Sequence, residues 1–339
     1  MKNILVVNVN WMGDVIFSVP VFKAIKEKYP HAWMSCLAVP RVKEIAECIP
    51  YMDRVIVYDE DGEHKSLSGK WKLIGRLKKE QFDAAFLLHG SLTRALLVYL
   101  AGIPIRVGYD TKRRGIFLTH KTPPLPGIVH RADHYLNVIE FFTGLKTETR
   151  SNILFTPKAA QDKIAALLSS LGIAADDFWV VIHPGANWDL KRWPYEYFTL
   201  LIQRLMEDHQ AKVLISGGAN DVGLVEKIIA PLKNKPLVLV GKTDLYELMA
   251  LMHAAKLVIS ADSGPLHLAN SVGAKVIALF GPTRPEITGP RGYADQFILQ
   301  KDVGCNRAAC YHLNCPDNIC MQSLTVEDIL RVVRQIKSS

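Results

Sequence analysis

A chain of 339 residues has room for two domains of ordinary size, and its 49% hydrophobic and 22% charged residues describe a globular protein with a sizeable core, not a disordered or fibrous one. No apolar run reaches the roughly 18 residues that a spanning helix needs; the best candidate, 84–105, is broken by His89 and Arg94. The formal charge of +8 is uneven: residues 1–156 hold 22 Lys and Arg against 15 Asp and Glu, and residues 157–339 hold 19 against 18, so a basic N-terminal half points to an anionic partner, while no nucleic-acid motif accompanies it.

The chain opens with Lys2 and the buried-type strand 4–7, and Asp14 follows soon after with no small-residue cleavage site. This reads as a first strand and not a signal peptide, and the expected location is the cytoplasm. A helix is expected over 14–29, with Pro20 in its first turn or at a kink. Strands at 33–37, 55–57, 84–88 and 105–108 then alternate with helices at 42–48, 67–79 and 92–101. That rhythm predicts a parallel sheet wound on both faces. Residues 109–130 break it with the basic triplet Lys112, Arg113, Arg114 and three prolines, and read as a long loop. A helix at 132–142 follows, then a link over 147–157.

The second half restarts the alternation, with strands at 179–182, 212–215, 237–240, 257–260 and 276–280 and a final amphipathic helix at 326–336 capped by Thr325. Cys305, Cys310, Cys315 and Cys320 recur with four residues between neighbours, at the border of zinc-ligand spacing. Packing or redox-sensitive thiols are the default for them, and disulfides are not expected in a cytosolic chain.

In open parallel sheets ligands bind beyond the C-terminal strand edges. Four loops there carry reactive residues: 10–14, 183–191, 217–221 and 262–267. A cleft between the halves would gather them. In the last, Asp262-Ser263-Gly264-Pro265 turns from strand into helix, and a helix N-terminus there is an anion site, with His267 one turn in. Asp262 or Ser263 can instead cap that helix. No G-x-G-x-x-G follows the first strand of either half, no P-loop or G-x-S-x-G elbow occurs, and no metal-ligand trio has convincing spacing.

G-D-V-I-F-S-V-P near the start, H-P-G-A-N-W-D-L-K-R-W-P at 183–194, D-S-G-P-L-H at 262–267 and F-G-P-T-R-P-E-I-T-G-P at 280–290 together resemble the heptosyltransferases of glycosyltransferase family 9. The chain looks most like their heptosyltransferase II group. The resemblance implies a GT-B fold of two Rossmann-like doubly wound domains: an acceptor domain over 1–157, a nucleotide-sugar domain over 158–322, and a C-terminal helix at 323–339 crossing back to the first. It implies inverting transfer of heptose from ADP-heptose to heptosyl-Kdo2–lipid A, without a metal or other cofactor. By the same resemblance Asp14 is the general base, and Lys191 neutralises the diphosphate. Ser263, Gly264 and His267 hold the donor phosphates, and Asp262 contacts heptose or caps the helix. His183 and Asn187 are weaker pocket residues, with a satisfied strand-end histidine as the alternative for His183. Asp221 binds the ribose or caps a helix. The basic triplet Lys112–Arg114 would meet acceptor phosphate or the inner membrane surface. A sugar-nucleotide epimerase of the same fold, and transfer to another glycan or a protein, are the competing expectations.

Overall fold

The computed structural model describes residues 1–148, 150–174, 176–305, 310 and 315–338. The chain divides into two compact units, 1–155 and 156–339.

Six parallel strands form the first unit: β1 (Asn3–Val7), β2 (Trp33–Ala38), β3 (Arg54–Val57), β4 (Ala84–Leu87), β5 (Ile105–Tyr109) and β6 (His120–Thr122), in the order β3-β2-β1-β4-β5-β6. Ile4, Leu5, Val6 and Val7 are all fully buried, as expected of a continuous apolar run with helices on both faces of the sheet. Six strands again form the second unit: β7 (Trp179–His183), β8 (Lys212–Ile215), β9 (Leu237–Val238), β10 (Leu257–Ala261), β11 (Val276–Leu279) and β12 (Gln296–Leu299). Their order, β12-β11-β10-β7-β8-β9, repeats the first sheet's connectivity. In each unit the winding reverses where the first and fourth strands pair, β1 with β4 and β7 with β10. The loops leaving those two strands diverge there and open a crevice at the C-terminal edge.

Several boundaries differ from expectation. The helix expected over 14–29 is two helices, Met12–Phe17 and Val19–Lys28. Ser18 sits at the break with its hydroxyl on the Val15 carbonyl, and Pro20 falls in the first turn of the second helix, where its missing N–H costs nothing. The loop at 109–130 contains β6, a short edge strand too polar to show periodicity. The final helix, Val326–Ser338, spends its apolar face inside the second unit: Ile329, Leu330 and Val333 join the core built around helix Tyr195–Glu207. Trp193, buried in the same core, donates its indole N–H to the Leu324 carbonyl at 2.8 Å and so ties the loop after β7 to the segment before that helix.

Candidate active site

In the first unit, the loop after β1 and the loop after β4 flank a cavity of about 270 Å3. Asn10, Trp11 and Asp14 line it from the first loop and its helix, and His89 and Gly90 line it from the second. Arg131, His134 and Tyr135 close it from one face of helix Arg131–Thr143, at the i, i+3 and i+4 spacing that places them together. Asp14 lies in the first turn of its helix, where the dipole favours a carboxylate. The Tyr135 hydroxyl donates to Asp14 Oδ1 at 2.8 Å. Burial, then the Asp14 charge, push the Tyr135 phenol well above its ordinary range, so it stays a donor. Burial, and then the neighbouring cations Arg94, Arg114 and Lys112, push His89 down to about 4, and burial likewise lowers His134. Both imidazoles are therefore neutral near pH 7.

The loop that carries Asp14 is braced from beneath. Arg94, almost fully buried, donates to the Asn8 carbonyl at 2.9 Å and to Glu60 at 3.3 Å, while Asn10 Nδ2 donates to the other Glu60 oxygen at 3.2 Å. Arg41 donates to the Asn10 carbonyl and stacks over Trp11 with its guanidinium 4.3 Å from the ring centre.

In the second unit the equivalent crevice gathers a charged cluster. Asp262 directly follows β10 and is buried. Its Oδ2 accepts from Lys191 Nζ at 2.7 Å and from the Thr288 hydroxyl at 3.3 Å, and its Oδ1 lies 3.2 Å from His267 Nε2. Burial pushes this carboxyl up, but the hydrogen bond and charge of His267, with Lys191 beside it, hold it far below the usual carboxylate range. Lys191 sits on the turn Asp189–Lys191, with Nζ 5.4 Å from the Trp188 ring centre. Ser263 is extended and precedes helix Gly264–Ser271, which has no side-chain cap; the Ser263 hydroxyl instead meets Ser260 Oγ at 3.2 Å. Neither Asp262 nor Ser263 is thus a cap, and the first N–H groups of the helix lack a side-chain partner.

The weaker sequence candidates resolve toward structural roles. His183 is buried at the end of β7, 3.1 Å from Ser216 Oγ, and burial holds its pKa low. Asp221 Oδ2 accepts from the Gly218 N–H at 2.9 Å and caps the turn Ala219–Asp221. Gly185 fits beneath that carboxyl because an added Cβ would approach Asp221 Oδ1 to 2.5 Å. Asn187 is exposed on the loop after β7. The basic triplet is split: Lys112 and Arg113 are exposed, but Arg114 is fully buried, with its guanidinium on the carbonyls of Tyr109 and His89. Arg114 is therefore corrected from acceptor contact to scaffold. Cys305 is exposed and Cys310, Cys315 and Cys320 are half-buried. Among the described residues no three His, Cys, Asp or Glu side chains are arranged to hold a metal ion.

The chain comprises two Rossmann-like units with reactive loops at their switch points, and residues 70–316 match glycosyltransferase family 9 (heptosyltransferase). The chain belongs to that family. Among curated relatives it is 23% identical to lipopolysaccharide heptosyltransferase 2 of Escherichia coli, covering 87% of each chain. Among solved structures it is similar to a family 9 glycosyl transferase from Veillonella parvula (TM-score 0.88, 25% identity, 99% of this chain and 97% of that one). It is also similar to the E. coli ADP-heptose lipopolysaccharide heptosyltransferase II (TM-score 0.82, 21% identity, 99% and 98%). The family 9 fold is GT-B, as expected from the motifs.

Tyr135 and Arg131, with His134, His89 and Thr288, are among the site residues that the sequence reading passed over. The first two stand on the helix after the long loop, where a Tyr and an Arg at helical spacing are ordinary. Thr288 lies within the motif at 280–290 but carries no charge to draw notice.

Proposed function

We propose that this glycosyltransferase transfers L-glycero-D-manno-heptose from ADP-heptose to heptosyl-Kdo2–lipid A, with inversion at the anomeric carbon. The observation that carries the reading is the Asp14 carboxylate, held by Tyr135 in a pocket that also presents the Arg131 cation. Arg131 suits an acceptor bearing phosphate or carboxylate groups. Asp14 takes the proton from the acceptor hydroxyl as that oxygen attacks the anomeric carbon. The bond from that carbon to the diphosphate breaks, and ADP leaves with the electron pair.

Negative charge then grows on the diphosphate. In the second unit the N–H groups at Ser263 and Gly264 and the Lys191 ammonium face that need, since a helix N-terminus and a cation both stabilise an anion more as its charge increases. Asp262 and His267 position Lys191 and keep the cluster close to neutral before the donor arrives. His183, Asn187 and Asp221 support the loops around it. No metal or other cofactor enters this scheme. Transfer to a lipid-linked core sets the working place at the cytoplasmic face of the inner membrane.

The test is to incubate the enzyme with ADP-heptose and heptosyl-Kdo2–lipid A in EDTA and follow the acceptor by mass spectrometry. One added heptose supports the reading. Conversion of the nucleotide-sugar without any acceptor would instead favour an epimerase, and transfer only to a different glycan or a protein would replace the acceptor.

A further inference from the structure

The cavity of the first unit holds an aromatic ring that the core does not use. Trp11 lines it beside Asp14, and the residue is 56% exposed. A tryptophan is ordinarily highly buried, because so much apolar surface leaves water when it packs. Here the local structure holds the ring out. The Trp11 carbonyl accepts from the Val15 N–H at 2.9 Å, which fixes its backbone as the start of helix Met12–Phe17, three positions before Asp14. Arg41 then clamps the indole: its guanidinium lies 4.3 Å from the ring centre, and its Nε donates to the adjacent Asn10 carbonyl at 2.8 Å. One face of the ring is under the cation, and the exposure belongs to the other.

His89 lines the same cavity, and its imidazole has no hydrogen-bond partner among the described residues. With its pKa held near 4, the ring is neutral and offers one N–H donor and one acceptor nitrogen. A neutral ring gives up its water for a hydroxyl at far less cost than a charge does. The cavity, about 270 Å3, falls just below the roughly 300–1,000 Å3 of sites for drug-sized ligands and suits a single sugar ring. A pyranose carries hydroxyls around its rim and C–H groups on its faces. Those C–H groups bear partial positive charge and are drawn to the negative face of an indole. A flat aromatic face, a neutral hydrogen-bonding ring and a carboxylate thus stand in one small cavity: a face to stack on, a group to hold one hydroxyl and a base for another.

We infer that Trp11 and His89 select the acceptor sugar: its ring stacks on the open face of the indole, one hydroxyl bonds to the His89 imidazole, and the hydroxyl to be glycosylated meets Asp14. Arg41 fixes the indole before the sugar arrives, so little side-chain freedom is lost on binding. Stacking sets the height of the sugar over the cavity and the His89 bond sets its rotation, which together decide which hydroxyl reaches the base. The inference rests on the proposed heptosyl transfer and names what recognises its acceptor, but it is tested apart from transfer.

The experiment is calorimetric titration of the full chain with the heptosyl-Kdo2 oligosaccharide freed from its lipid and, separately, with ADP-heptose. Trp11→Ala should weaken oligosaccharide binding by about tenfold or more, and Trp11→Phe by less than about threefold, since a phenyl ring still offers an aromatic face. His89→Leu should weaken it by about fivefold to tenfold, and His89→Gln should restore most of that loss, because an amide can again meet a hydroxyl. Affinity for ADP-heptose should stay within about twofold in all four variants, a split that a misfolded chain would not show. A parent chain that does not bind the oligosaccharide, Trp11→Ala or His89→Leu binding it like the parent, or a Trp11→Ala chain that loses sugar and donor binding together would each overturn the inference. Trp11-dependent sugar binding without heptosyl transfer to the intact acceptor would leave it standing and refute the reaction instead.

Discussion

The Tyr135 hydroxyl donates to Asp14 Oδ1 across 2.8 Å, joining the helix after β1 to the helix that follows the long basic loop. One carboxylate oxygen is thereby fixed, and in the proposed reaction the other meets the acceptor hydroxyl. A hydrogen bond to a charged group is worth about 1.5–3 kcal/mol. Tyr135→Phe is therefore expected to lower kcat by about tenfold to a hundredfold while leaving donor affinity unchanged. Steady-state kinetics with calorimetric donor titration checks this; a fall in donor affinity with normal kcat would mean the hydroxyl has no part in orienting the base.

Lys191 and Asp262 form the charged pair of the second unit. Lys191→Ala removes the cation and leaves a buried carboxylate that His267 and Thr288 still hold. The stability loss should stay below the ~3–5 kcal/mol typical of a broken buried pair. Both the affinity for ADP-heptose and kcat should fall, because the diphosphate gains charge as it leaves. Urea unfolding and donor titration measure the two effects, and a variant with normal kinetics removes Lys191 from the reaction.

Arg114 and its neighbours Lys112 and Arg113 should behave oppositely in stability. Arg114→Ala takes the guanidinium from the His89 and Tyr109 carbonyls, the latter keeping the Thr111 N–H, and leaves a cavity, a loss of about 3 kcal/mol. Lys112→Gln with Arg113→Gln should change unfolding by less than about 0.5 kcal/mol. Equal effects in urea titrations would contradict the split of the triplet.

The His89 pKa falls to about 4 in the folded protein through burial and the charges of Arg94, Arg114 and Lys112, against about 6.5 when unfolded. Between those values the unfolded chain binds more protons, so this residue makes stability rise with pH from 4 to 6.5, and the contribution is lost as pH falls through that window. After allowance for partial exposure, about 1 kcal/mol is expected to separate pH 5 from pH 7. His89→Gln should flatten the unfolding curve against pH by that amount; an unchanged slope would show that His89 is not the group responsible.

The strands were legible because parallel strands buried on both faces read as unbroken apolar runs, and Ile4–Val7 and Leu257–Ile259 are such runs. The edge strands β6 and β12 were not, since one neighbour and a half-wet face leave little apolar signal in His120–Thr122 or Gln296–Leu299. The family resemblance singled out Asp14, Lys191 and Asp262; His267 meets Asp262 from five positions away within one motif, but the contacts from Tyr135 to Asp14, Lys191 to Asp262 and Thr288 to Asp262 span 121, 71 and 26 positions, and no local pattern encodes such pairings. The triplet Lys112–Arg114 failed as a unit for the same reason: charge is written in the sequence, but burial of one of three adjacent cations is decided by the carbonyls of Tyr109 in β5 and of His89 in the loop after β4.

The most direct measurement is acceptor-dependent ADP release from ADP-heptose in EDTA, comparing the parent chain with Asp14→Asn, alongside donor binding by calorimetry. The account predicts release by the parent only when heptosyl-Kdo2–lipid A is present. It predicts a loss of at least about a hundredfold in the variant, with donor affinity retained. Release at the parent rate by Asp14→Asn would contradict the assignment of Asp14 as the base.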